Sequence, residues 1–422
     1  MGSIEFGFKS IPIRHGSKHH QKIPKQYFLN HSQQRPFFFY TTVMTSTRIP
    51  SAHTVAGDDD LLTEILLCLP IKPLVLFKSV SKHWLSLITN PHFCRRRSRG
   101  IGAPSGLFLY RSSIDFSLEC DFIPLEDTSP TKPPVGTLTF VNFPNRRRIW
   151  QSCNGLLCCF TFGGPDAKCN YHIYNPTIHR FTTLPNPAGR VFRNSRRVGS
   201  VHAVNLAFDP LKLPHYKAVC VYDSQILPEQ FEIEVYSSET GLWRHSADPF
   251  SAKVNFELGV FWNCAINWVS YQGNSLYFNV DEERLGTMPM PPLPYGCEGR
   301  KLRYFAESCD HLHLIESYGP PTTQFNVYEM AKDYSGWSVK YLVDLDPVMD
   351  AFPESIVGLL DYKFLIISFL RRNSDEESFL VLGIPGKAIR YNFSDKTFKK
   401  LCDVPRDHLN FELDHAPNVW MV

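Results

Sequence analysis

Catalysis needs side chains that titrate, attack or ligate, set at the spacing a reaction demands. The first candidate is Cys309-Asp-His-Leu-His313. On an extended strand, alternate residues share a face, so Cys309, His311 and His313 would present a thiol and two imidazoles together. Such a trio could begin a zinc site, but no second ligand pair stands at finger or ribbon spacing. We therefore expect structural residues there, and no metal or cofactor. Gly163-Gly-Pro-Asp166 is glycine-rich. It lacks the following Lys-Ser/Thr and helix of a phosphate loop, so it reads as a turn. No Gly-x-Ser-x-Gly nucleophile elbow occurs. The basic runs Arg95-Arg-Arg97 with Arg99, and Arg146-Arg-Arg148, could serve nuclear import or nucleic-acid contact. Acids elsewhere balance them to a formal charge of +3, and no nucleic-acid motif accompanies them. They read as a solvated face or a linker flank. These residues point to a binding protein more than to an enzyme.

The elements confirm that emphasis. Leu61, Leu62, Ile65, Leu66 and Leu69 recur along one face of a 3.6-residue helix. Asp58, Asp59 and Asp60 stand where free N–H groups and the helix dipole favour acids, and Pro70 ends the ladder. Pro73 suits the first turn of a second helix, whose stripe runs Phe77, Val80, Trp84 and Leu87 until Asn90-Pro91. By periodicity alone this is a pair of amphipathic helices that pack on the rest of the chain.

Residues 57–97 resemble a plant F-box. The matching stretches are Leu-Leu-Thr-Glu-Ile-Leu at 61–66, Leu69-Pro70, Phe77-Lys-Ser-Val-Ser-Lys82, Trp84, and Ile88 with Asn90-Pro-His-Phe93. The resemblance implies a three-helix module that binds a Skp-type adaptor and so joins a cullin-RING ubiquitin ligase. The adaptor-facing candidates it carries over are Leu61, Leu62, Ile65, Leu66, Leu69, Pro70, Leu74, Phe77, Val80, Ser81, Lys82 and Trp84. Some of these must pack the module itself. Similar F-boxes open with Leu-Pro before the acidic pair, whereas this chain has Val55-Ala56-Gly57.

From about residue 104 the chain reads as strand, turn, strand. Candidate strands are 106–110, 155–160, 172–174, 216–222, 231–236, 275–278, 312–315, 325–328, 364–369 and 379–382. They are rich in β-branched and aromatic residues, and Gly, Pro, Asn and Asp separate them. A pattern recurs: Ile173-Tyr-Asn-Pro-Thr177 before Arg180-Phe181 and Leu184-Pro185; Val235-Tyr-Ser-Ser-Glu-Thr240 before Trp243; Leu276-Tyr-Phe-Asn-Val-Asp281 before a Met-Pro-rich turn; Phe325-Asn-Val-Tyr-Glu-Met330 before Trp337; Ile389-Arg-Tyr-Asn-Phe-Ser394 before Phe398. Each is a strand ending near an aromatic, a polar turn and a return strand. The spacing of roughly 40–65 residues is near that of propeller blades, which need neighbours to cover their faces. The fold class expected is α+β, mostly β: a small N-terminal three-helix F-box and then a large antiparallel β-propeller, with a β-sandwich as runner-up.

This part resembles the F-box-associated, kelch-related propeller region of plant F-box proteins. Ser152-Cys-Asn-Gly-Leu-Leu157, Tyr174-Asn-Pro-Thr177, Ala207-Phe-Asp-Pro210 with Tyr216-Lys-Ala-Val219, and Val235–Thr240 with Trp243 carry the likeness. It implies a target-recruiting domain without naming the target. The domains expected are a disordered basic arm at 1–56, an F-box at 57–97 and a propeller-like domain at 98–422.

Composition agrees. Hydrophobic residues are 43% and charged residues 20% of 422, as in ordinary globular proteins. Aromatics reach 14% and prolines number 32, which suits many short strands. No apolar run reaches the roughly 18 residues of a membrane span. The 12 cysteines are scattered and read as reduced thiols of a cytoplasmic or nuclear protein. Residues 1–56 hold Glu5 as their only acid; a disordered arm and an organelle transit peptide both fit. The expected function is that of a non-catalytic substrate-recognition subunit of a Skp-cullin-F-box ligase, with an unknown target and no nucleic-acid or membrane partner. The alternative is a non-ligase propeller scaffold or ligand sensor with a degenerate F-box.

Overall fold

Turn residues cut the chain after residue 105 into short strands that pair antiparallel with their neighbours. The computed structural model describes residues 58–69, 71–90, 92–93, 106–110, 120–125, 147–163, 168–175, 180–187, 200–210 and 212–421, the last without 298, 320–321, 358–360, 373, 406–408 and 410–418. The arm at 1–56, Val55-Ala56-Gly57, Pro70, Pro91 and Arg95–Arg97 with Arg99 lie outside them.

Three helices come first: α1 (Asp59–Leu67), α2 (Ile71–Phe77) and α3 (Lys82–Thr89). The stripe from Phe77 to Leu87 is thus not one helix. Ser81 takes an extended conformation and caps α3, so the stripe is divided between two helices. Leu62, Leu66, Leu74, Ile88 and Phe93 form the core of this unit.

The strands begin with β1 (Gly106–Tyr110) and β2 (Cys120–Pro124). Five four-stranded blades follow. Blade one holds β3 (Arg147–Cys153), β4 (Leu156–Gly163), β5 (Lys168–Asn175) and β6 (Arg180–Thr183); blade two holds β7 (Val201–Ala207), β8 (Lys217–Asp223), β9 (Phe231–Ser237) and β10 (Leu242–Phe250). Blade three holds β11 (Val260–Trp262), β12 (Ala265–Trp268), β13 (Ser275–Asn279) and β14 (Arg284–Met288). Blade four holds β15 (Arg300–Ser308), β16 (His311–Tyr318), β17 (Gln324–Met330) and β18 (Trp337–Asp344). After α4 (Asp346–Ala351) and a ribbon of β19 (Ile356–Val357) and β20 (Asp361–Tyr362), blade five holds β21 (Leu365–Leu370), β22 (Phe379–Ile384), β23 (Lys387–Asn392) and β24 (Phe398–Asp403).

First strands of successive blades touch, β3 to β7, β7 to β11, β11 to β15 and β15 to β21, as in a propeller. A three-stranded sheet in the order β2-β1-β25 (Val419–Met421) closes the ring. Its β25 meets β3 and its β2 meets β24, so both ends of the domain share one sheet. This is a β-propeller and not a sandwich.

The second strands β8 and β22 are buried on both faces, which explains their apolar runs. In β8, Ala218, Cys220 and Tyr222 pack toward blade one, and Val219 and Val221 toward blade three. In β22, Leu380 and Leu382 face blade four while Phe379 and Val381 face the closing sheet. The recurring sequence pattern is the third strand, turn and fourth strand of each blade. Trp243 and Trp337 donate their indole N–H groups to Pro185 (2.7 Å) and Pro289 (2.8 Å), on the exits of the preceding blades. That is why an aromatic and an outgoing proline recur together.

Candidate functional site

Acids and a serine set the helices of the small N-terminal unit. The Asp58 carboxylate accepts from the backbone N–H groups of Asp60 and Leu61, both at 3.0 Å. The Ser81 hydroxyl accepts from the N–H of Trp84 at 3.1 Å. Each satisfies donors that the first turn leaves open. Asp59 on α1 and His83 on α3 pair at 3.0 Å. Phe77 and Trp84 meet edge to face, with ring centres 5.3 Å apart.

This packing divides the candidate residues. Leu62, Leu66 and Leu74 are buried, and Leu69, Phe77 and Trp84 pack half-buried against them. Ser81 serves as a cap, and Lys82 is the exposed first residue of α3. Leu61 and Ile65 are each 49% exposed and Val80 is 57% exposed. Pro70 lies outside the described residues. Two more exposed aliphatics, Leu76 at 70% and Leu85 at 43%, are not among the residues the resemblance carries over. Leu85 lies off the stripe, and Leu76 sits beside Phe77 near the end of a short helix. What marks them is exposure, which periodicity does not report.

In the propeller, the run at 309–313 is no ligand set. Cys309 and Asp310 form the turn between β15 and β16, with φ of 52° and 61°. Cys309 therefore does not share a strand face with His311 and His313, contrary to expectation; its thiol donates to the Arg371 carbonyl at 3.1 Å. His311 Nδ1 and His313 Nε2 both point at Glu329, at 3.2 and 3.3 Å, and Arg371 from blade five pairs with the same carboxylate. Burial pushes both imidazoles below the usual histidine range. Burial alone would raise Glu329, but the His313 hydrogen bond and the His311 and Arg371 charges outweigh it and hold the carboxyl low. Among the described residues, no cluster of His, Cys, Asp or Glu is suited to a metal. Gly163 ends β4 and pairs with Lys168 of β5, and Gly164-Pro165-Asp166 lie outside the described residues. Arg147 and Arg148 open β3. A shallow cleft between blades two and three is lined by His202, Lys253, Asn255, Phe256, Glu257 and Tyr271. Among the described residues, no helix is long and apolar enough to cross a membrane.

Residues 58–96 match the model of the F-box domain. The chain is 38% identical over 394 residues to F-box protein At5g07610 of Arabidopsis thaliana, covering 85% of this chain and 90% of that one. It is 30% identical over 189 residues to F-box protein At5g49610 of the same plant, covering 44% and 49%. Among solved structures, the crystal structure of TolB from Acinetobacter baumannii aligns with 8% identity and a TM-score of 0.39, over 74% of this chain and 68% of that one, too loosely to bear on function. With a helical unit that matches the F-box, a β-propeller behind it and a full-length relative at this identity, the chain belongs to the F-box protein family of plants.

Proposed function

We propose that this F-box protein is a substrate-recognition subunit of a Skp-cullin-F-box ubiquitin ligase, acting in the cytoplasm, the nucleus or both. The F-box holds a Skp-type adaptor and through it the cullin-RING assembly. The propeller holds target proteins. The chain makes and breaks no bonds itself; it raises the effective concentration of target lysines beside the charged conjugating enzyme.

One observation carries this reading. Leu61, Ile65, Leu76, Val80 and Leu85 stay exposed on a unit whose own core is already closed by other residues. Burying the exposed half of an aliphatic side chain stabilises by about 1 kcal/mol, so these five are a sizeable docking resource. The adaptor contacts then fall on Leu61, Ile65 and Val80, with Lys82 at the start of α3. Leu62, Leu66, Leu69, Leu74, Phe77, Ser81 and Trp84 act by holding the helices in place.

The test is a pull-down of the intact protein with plant Skp-type adaptors, beside an F-box protein that binds them. Capture is expected, and its loss in a folded Leu61→Asp/Ile65→Asp variant. No capture of the intact, folded protein overturns the reading. It would favour instead a non-ligase propeller scaffold or ligand sensor, which Val55-Ala56-Gly57 in place of Leu-Pro supports. A lost leucine anchor costs an interface about 2–4 kcal/mol, roughly 30- to 1000-fold in affinity.

A further inference from the structure

Blades two and three meet through a lysine and a cysteine that adaptor binding does not use. Cys264 sits in the β11–β12 turn, where Asn263 and Cys264 have φ of 52° and 60°. The turn is pinned on both sides. The Cys264 carbonyl accepts from the Val280 N–H at 2.9 Å, and Asn263 Nδ2 donates to the Lys332 carbonyl at 2.8 Å. The backbone that carries the thiol is therefore held in place. Lys212 approaches from the β7–β8 loop, where its own N–H donates to the Asp209 carbonyl at 3.1 Å. Its Nζ donates to the Cys264 sulfur.

The neighbouring charges leave this pair intact. Asp281 and Asp209 are the nearby acids; Lys217 holds Asp281 at 3.1 Å and also donates to the Val280 carbonyl at 2.7 Å. Lys212 reaches the same carboxylate only at 3.9 Å. Its closest partner is therefore the sulfur. The Lys212 side chain is 53% exposed and Cys264 is half-buried, so a small oxidant can reach both.

We infer that Lys212 and Cys264 form a reversible oxidative cross-link between blades two and three, made when a peroxide oxidises the thiol. The peroxide transfers one oxygen to sulfur and leaves as water, giving a sulfenic acid. The Lys212 ammonium first gives one proton to solvent, which frees the nitrogen lone pair. Nζ then bonds to sulfur as the S–O bond breaks; one of its two remaining protons leaves with the hydroxide as water and the other stays on nitrogen. The product is a sulfenamide, two electrons more oxidised than the separate thiol and amine. A thiol reductant reverses it.

Peroxide treatment of the full-length protein, then alkylation of remaining thiols, trypsin digestion and mass spectrometry, tests this. The expected species is a peptide pair joined through Lys212 and Cys264, two hydrogens lighter than its parts, uncut after Lys212 and lost on adding dithiothreitol. Lys212→Arg and Cys264→Ser change only exposed or turn side chains, and each should abolish the pair. In Lys212→Arg, dimedone should trap the sulfenic acid at Cys264. The inference is overturned if wild-type Cys264 stays unoxidised. It is equally overturned if Cys264 carries only a dimedone adduct, a higher oxide or a disulfide while trypsin cuts after Lys212.

Discussion

Ile65 and Leu66 are adjacent on α1, chemically alike and opposite in fate, which makes them a decisive pair. Ile65 is 49% exposed and Leu66 is 0% exposed. Leu66 packs with Leu62, Leu74, Ile88 and Phe93 in a very small core. Replacing it by alanine removes buried methyl groups and leaves a cavity, at a cost of about 2–5 kcal/mol. A unit this small holds only a few kcal/mol, so Leu66→Ala should largely unfold the helices. Ile65→Ala removes atoms already half in water and should change stability by no more than about 0.5 kcal/mol. At the adaptor interface, however, it forgoes burial of the exposed half, about 1 kcal/mol from area and about 2 kcal/mol if Ile65 is a central anchor. That is roughly 5- to 30-fold in Kd. Hydrogen exchange over residues 58–93 reads folding of this unit apart from the propeller, and titration calorimetry with a plant Skp-type adaptor reads affinity. We expect Leu66→Ala to lose protection and binding together, and Ile65→Ala to lose binding alone. Wild-type affinity in Ile65→Ala would refute the assignment of this face.

Gly259→Ala should destabilise the propeller by about 1–3 kcal/mol. A Cβ there would lie 2.5 Å from the Asn205 side chain, which the Trp268 indole holds at 2.9 Å; urea denaturation should show partial rescue by Asn205→Ala. Glu316→Gln should cost about 3–5 kcal/mol in the same assay, since both oxygens of this buried carboxylate take hydrogen bonds from Arg300 at 3.0 Å and one also from Tyr318 at 2.6 Å. His311 and His313 are held below the usual histidine range, so the unfolded chain binds more protons as pH falls through about 6.5. Their contribution is complete above that pH and lost below it. Glu307 runs the other way: burial lifts its carboxyl to about 7, so its contribution is lost as pH rises from about 4.5 to 7. In a Glu307→Gln background, the urea midpoint should therefore fall between pH 7.5 and 5, and by less once His313 is replaced by Asn. An unchanged pH slope in the His313 variant would refute the histidine assignment.

Some of this was legible from residues alone because it is local. All ten candidate strands lie within or overlap observed strands, and the recurring aromatic-turn-aromatic pattern is the outer hairpin of each blade. The first strands of blades one to four were harder to see. β15 reads Arg-Lys-Leu-Arg-Tyr-Phe-Ala-Glu-Ser, with polar and apolar residues mixed. It lies innermost in its sheet and lacks the double-sided burial that makes β8 or β22 conspicuous. Cys309 was misplaced because a positive-φ turn looks, in sequence, like the continuation of a strand.

Residue order alone carries the helical stripe, the strand-rich second part and the F-box character, since each rests on periodicity or residue order over short distances. Tertiary structure decided what depends on distant partners. The closing sheet joins Leu107 to Met421, a pairing that no local pattern encodes. The division of the leucines is of the same kind. Periodicity places Leu61, Leu62, Ile65 and Leu66 on one broad face. Only the packing of α2, α3 and Phe93 buries Leu62 and Leu66 and leaves Leu61 and Ile65 in water, because a single helix presents a stripe wider than its own small core can cover.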